Sequence, residues 1–153
     1  VVELMKNDQS DEITRGWWIT EKLLEKAGRL AKADGFNLAM FIIPTIYAAD
    51  SGLYSELVST QQLIPSELNR DKPVETLMAI LEREGIWAIN LLPEVRARSE
   101  TPGRQFYIQG DGHFNKEGHE LAVSIVSRAL AGKIRELGTF NQCSQNEMVA
   151  TGK

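Results

Sequence analysis

Twice along this chain an amphipathic stretch stops at a glycine, passes into a short apolar run and ends at a proline. In the first unit Leu23, Leu24, Ala27, Leu30 and Ala31 recur at helical spacing between Thr14 and Asp34; Gly35 follows, and Leu38-Ala39-Met40-Phe41-Ile42-Ile43 runs up to Pro44. In the second, Asp71 fits an N-cap with Pro73 in the first turn, Val74, Leu77, Met78 and Leu81 form the stripe, and Gly85 precedes Ile86 to Leu92 and Pro93. The first apolar run is too short for a solitary helix and reads as a strand buried on both faces, and the second repeats it as an apolar strand. Two such units in series are most easily built as right-handed crossovers onto one parallel sheet, which predicts an α/β fold. Val1 to Met5 reads as a further strand of that sheet, followed by a polar loop from Lys6 to Asp11.

The remaining segments say less. Thr45 to Ser51 is a second candidate rim loop, Leu53, Leu57 and Val58 suggest a short helix, and Glu94 to Thr101 is a polar excursion with the makings of another. After a short apolar strand at Phe106 to Ile108, a final helix carries Ala122, Ile125, Val126, Ala129, Leu130, Ile134 and Leu137 as its buried stripe. Residues 1–138 are expected to form one domain, and the tail from Thr139 to Lys153, which has almost no periodicity, to be frayed or disordered. With 153 residues and 42% hydrophobic content the chain can bury a real core. A net charge of −4 with scattered basic residues argues against a nucleic-acid surface. Cys143 is alone, so no internal disulfide forms; no zinc motif is present, and no run is long enough to span a membrane.

Both histidines fall within Gln105 to His119. Gly110 and Gly112 let the backbone turn sharply, and Asn115 can cap the final helix, with Glu117 in its first turn. Asp111 and His113 therefore sit on a loop between a strand and a helix, at the carboxyl edge of a parallel sheet, where ligands bind. An Asp two residues before a His can fix the imidazole tautomer and leave the other ring nitrogen basic, as general-base catalysis requires. On spacing alone the plainer alternative, in which His113 packs or caps and Asp111 closes an Asx-turn, is favoured. A metal site from Asp111, His113 and His119 is weaker, because His119 lies a turn into the helix and no cysteine or further acid cluster completes it.

Asp111-Gly112-His113-Phe114-Asn115, followed by Gly118-His119 and an alanine-bearing helix, resembles the last block of the SGNH, or GDSL-type, serine hydrolases. The apolar run into Pro44-Thr45 and the stretch from Gly85 to Leu92 look like the same family, so the resemblance covers roughly Val1 to Leu137, with only the final block specific. It implies a flavodoxin-like three-layer α/β/α sandwich that hydrolyses or transfers acyl groups without a cofactor. His113 matches the base and Asp111 the acid that orients it. Asn7, in the Asn-Asp pair after the first apolar run, matches the oxyanion-hole Asn of the third block, although Met5 stands where the family has Gly. None of the nine serines lies in a glycine elbow after a strand, and the oxyanion Gly of the second block has no counterpart. The chain is accordingly expected to begin inside the domain, incomplete at its amino end, with the nucleophilic serine outside it. The resemblance implies an acyl ester as substrate, on a carbohydrate or a lipid, and is compatible with a secreted or periplasmic setting. The alternative is a non-catalytic module that binds a carbohydrate or acyl ligand on the same rim.

Overall fold

The computed structural model describes residues 1–150, with side chains described through residue 136. Its elements are α1 (Val2–Met5), α2 (Asp11–Ala33), β1 (Ala39–Ile42), α3 (Ile46–Ala49), α4 (Ser51–Thr60), a 3-10 turn (Pro65–Glu67), α5 (Lys72–Arg83), β2 (Trp87–Asn90), α6 (Leu92–Ser99) and α7 (Lys116–Ala150). The expected tail lies outside the residues whose side chains are described.

Both glycine stops close their helices with one pattern. After α2, Phe36 N donates to Ala31 O at 2.8 Å and Gly35 N to Lys32 O at 3.3 Å; after α5, Ile86 N donates to Leu81 O at 2.9 Å and Gly85 N to Glu82 O at 3.0 Å. These nested bonds are the Schellman arrangement, with the glycine at positive φ (74° and 66°). Each stop delivers the chain into a strand, and β1 and β2 pair in parallel with Ala39 opposite Trp87 and Ile42 opposite Asn90. The chain is thus mixed α/β, mostly helical, around a two-stranded parallel sheet. Ile42, Ile89, Leu91, Leu81, Val95 and the α7 residues Leu121, Ala122 and Ile125 form one core cluster.

Several expectations are corrected. Val1 to Met5 is not a strand: α1 is closed by Leu4 N donating to Val1 O at 3.0 Å, and Gln9 Nε2 donates to Leu4 O at 2.8 Å. Glu, Leu and Met are good helix formers, and a strand without ladder bonds to a neighbour has nothing to oppose that preference. Only Met5 of α1 is buried. Beyond it the backbone pairs antiparallel with the segment after α4, through Asn7 N to Glu67 O and Asn69 N to Met5 O, both 2.7 Å. Nor is β1 covered on both faces, since Phe41 is 52% exposed, as is Ile43 just after the strand. On α2 Leu24 packs on the core, whereas Leu23 and Leu30 are exposed. Residues Phe106 to Ile108 form no strand, only a single antiparallel bridge between Tyr107 and Phe114, because the hairpin that brings these two together gives way to α7 at Lys116. Asp71 heads α5, with Pro73 in the first turn as expected, but its side chain caps nothing.

Candidate functional site

The carboxylate of Asp71 is taken by Arg96 of α6. Arg96 Nη1 donates to Asp71 Oδ2 at 2.9 Å, Nη2 makes a closer contact with Oδ1, and Nε and Nη2 donate to Ala48 O at 2.9 and 2.6 Å. One guanidinium thereby joins the start of α5 to α3 and α6, the segments that leave the carboxyl ends of β1 and β2. A planar fork suits such bidentate binding. Lys72, one residue on, donates its ammonium to the carbonyls of Lys6 and Asn7, both at 2.8 Å. Neither tie has a signature in the spacing of the sequence, where Arg96 is one basic residue in a polar stretch.

Residues 106 to 115 are fastened to this rim by a hydroxyl. Tyr107 Oη donates to the carbonyl of Pro44, directly after β1, at 3.0 Å, and the Tyr107 and Phe114 rings pack at 4.9 Å between centroids. Ile108 N donates to His113 O at 2.8 Å and closes the hairpin, while Asp111 N donates to Ile108 O at 3.1 Å across the turn. Gly110 takes φ 77° at the third position of that turn, where a β-carbon would be strained. On the far side Asn115 caps α7 as expected: Oδ1 accepts from Gly118 N at 2.9 Å and Nδ2 donates to Gln105 O at 2.7 Å.

Burial raises the Tyr107 pKa well above the ordinary phenol value of 10.0. Because the folded state holds this proton more tightly than the unfolded state, the stabilisation is fully present below about pH 10 and is lost as pH rises further. Unfolding free energy is expected to fall above pH 10 by at most about 1.4 kcal/mol per pH unit from this group. Denaturant titrations from pH 8 to 11 check this, and Tyr107→Phe should be less stable at pH 8 but flatter above pH 10.

Asp111 and His113 meet on this hairpin. Oδ1 of Asp111 is in short contact with Nδ1 of His113, and the two side chains are 49% and 83% exposed. An ionised carboxylate only accepts hydrogen bonds, so Nδ1 carries the proton and Nε2 is the basic nitrogen. Among the described residues Nε2 has no partner. A cavity of about 680 Å³ opens beside Asp111, walled by the hairpin residues Gln105, Phe106, Tyr107, Gln109, Gly110 and Gly112 and by Val1, Ile46, Tyr47, Asp50 and Leu53, while His113 is not among its lining residues. Asp111 lines it.

The other candidates stand apart. Asn7 is near the start of α5, its Nδ2 donating to Ser66 O at 3.0 Å, and it is not among the residues lining this cavity. His119 meets Phe114 edge-on at 6.0 Å, and among the described residues no three His, Cys, Asp or Glu side chains are grouped to hold a metal ion. No helix among the described residues is long and apolar enough to cross a membrane. Comparison with protein-family models, curated proteins and solved structures finds no match to this chain.

Proposed function

We propose that this chain is the base-bearing, carboxyl-terminal part of an SGNH-type serine ester hydrolase or O-acyl transferase, whose full domain is a flavodoxin-like α/β/α sandwich. The observation that carries this reading is the Asp111 carboxylate on His113 Nδ1, with Nε2 left without a partner among the described residues and Asp111 itself lining a ligand-sized cavity. In the proposed reaction His113 Nε2 takes the proton of a serine hydroxyl as its oxygen bonds to the ester carbonyl carbon. The tetrahedral oxyanion collapses, the C–O bond to the alcohol breaks, and the proton on Nε2 goes to the departing alkoxide. Water, or a second alcohol in acyl transfer, then attacks the acyl-serine with His113 again as base. Asp111 stabilises the imidazolium that forms in each half.

The nucleophile of this reaction is not among the serines of this chain. A non-catalytic module that uses the same cavity to bind a carbohydrate or acyl ligand is the second reading, favoured by the absence of a serine in a glycine elbow. Exposure of the 153-residue chain to a serine-directed fluorophosphonate, followed by mass spectrometry, is expected to leave it unlabelled. Stoichiometric labelling of one serine, abolished by His113→Ala, would show that a nucleophile exists within the chain and overturn its assignment elsewhere.

A further inference from the structure

We infer that a second copy of this chain docks along α2, the two helices packing antiparallel as a short two-stranded coiled coil. The helix is 23 residues long, yet none of its residues is buried. One face carries Leu24, which packs on the core, and Glu21, which meets Arg83 of α5 at 2.9 Å. Another row has nothing against it. Glu12, Gly16, Ile19, Leu23, Lys26 and Leu30 are all exposed, the three aliphatic members at 43%, 64% and 55%. They follow one another at intervals of four, three, four, three and four residues. That is the spacing of a heptad seam, which keeps one line of side chains turned toward a partner helix, here over about 27 Å.

The charges in the row point to its own copy as the partner. Glu12 and Lys26 have no ion-pair partner among the described residues, whereas Lys22 and Arg29 are both held by Glu25, at 2.8 and 2.6 Å. Let two copies run antiparallel about a two-fold axis midway between Ile19 and Leu23. Glu12 then lies opposite Leu30 of the second copy, Gly16 opposite its Lys26 and Ile19 opposite its Leu23, and the same layers recur beyond the axis with the roles exchanged. Two aliphatic layers form the centre. Gly16 presents no side chain, and the space where a β-carbon would stand is open, so Lys26 of the second copy crosses it and sets its ammonium against the Glu12 carboxylate. Parallel packing would instead set Glu12 against Glu12 and Lys26 against Lys26, and like charges facing each other oppose association. The row is complementary to itself in one direction only. Because the seam is smaller than a standard interface, association of micromolar or weaker strength is expected.

Sedimentation equilibrium of the 153-residue chain, from micromolar to millimolar concentration, is expected to show a monomer–dimer equilibrium. Leu23→Glu should weaken it by about tenfold or more, since it sets an acid in both central layers. Its circular dichroism should match the parent chain, because Leu23 lies outside the core. Glu12→Lys and Lys26→Glu should each weaken the dimer severalfold by bringing like charges together, and the double variant Glu12→Lys, Lys26→Glu should restore it. A chain that stays monomeric throughout, or a dimer indifferent to Leu23→Glu, would overturn the pairing and leave this row to another occupant. So would single swaps that weaken the dimer without the double swap restoring it, because the antiparallel register requires that rescue.

Discussion

Turnover of a small activated ester such as 4-nitrophenyl acetate is expected to fall by several powers of ten on His113→Ala, in a polypeptide that carries this chain together with the nucleophilic serine. A serine hydroxyl is a poor nucleophile at neutral pH, and it is the positioned base that makes it reactive. Asp111→Asn should lower kcat by about 10⁴-fold, because an amide facing Nδ1 favours the wrong tautomer while preserving shape. A smaller loss would mean that a water or a backbone carbonyl takes over the Nδ1 proton. Steady-state kinetics with each variant, checked for unchanged unfolding midpoints, separate these effects. Both members of the pair are exposed, so their replacement leaves no cavity in the core.

Gly118→Ala is expected to have the largest effect on stability. A β-carbon built on Gly118 would stand 2.2 Å from the carbonyl oxygen of Phe106 and 2.9 Å from the Phe114 ring. The first neighbour is backbone, and it also accepts from Asn115 N at 3.0 Å, so it cannot swing aside without breaking the hairpin. Alanine in place of glycine in a helix gains about 1 kcal/mol of propensity. Overpacking of a tight site costs about 1–3 kcal/mol and more where the obstacle cannot move, so the clash wins. A net loss of roughly 2 kcal/mol or more lowers the melting temperature by about 4–8 °C in a chain of this size. Calorimetry measures it. An unchanged melting temperature would mean that the first turn of α7 does not seat against Phe106 as described.

Local rules made much of the fold legible. The Gly35 and Gly85 stops, the strands after them, Pro73 in the first turn of α5 and the Asn115 cap all depend on residues a few positions apart, and each forms where its chemistry requires. The hairpin pair also depends on neighbours, since Asp111 and His113 are two residues apart with glycines on either side of Asp111. What depends on distant partners was not legible. Val1 to Met5 has strand-like composition, yet no neighbour fixes it as a strand, and its own helical preference decides. Phe41 sits in a run that reads as a strand buried on both faces, yet it is 52% exposed, because among the described residues no element covers that face of β1 in the two-stranded sheet. Asp71 has the composition of a cap, and Arg96, 25 positions away, claims its carboxylate. Tyr107 reaches Pro44 across 63 positions, so the bond that fastens the hairpin to the rim leaves no mark in the local pattern.

The protonation of His113 tests the central claim most directly, and it is readable in this chain as it stands. Long-range ¹H–¹⁵N correlation spectra at a pH where the imidazole is neutral are expected to show Nδ1 protonated and Nε2 bare. The Nδ1 proton should be shifted downfield by its bond to Asp111, and both features should disappear in Asp111→Ala. A His113 ring protonated at Nε2, with a spectrum indifferent to Asp111→Ala, would contradict the account, because Nδ1 would then be the basic nitrogen and Asp111 would not be orienting the ring.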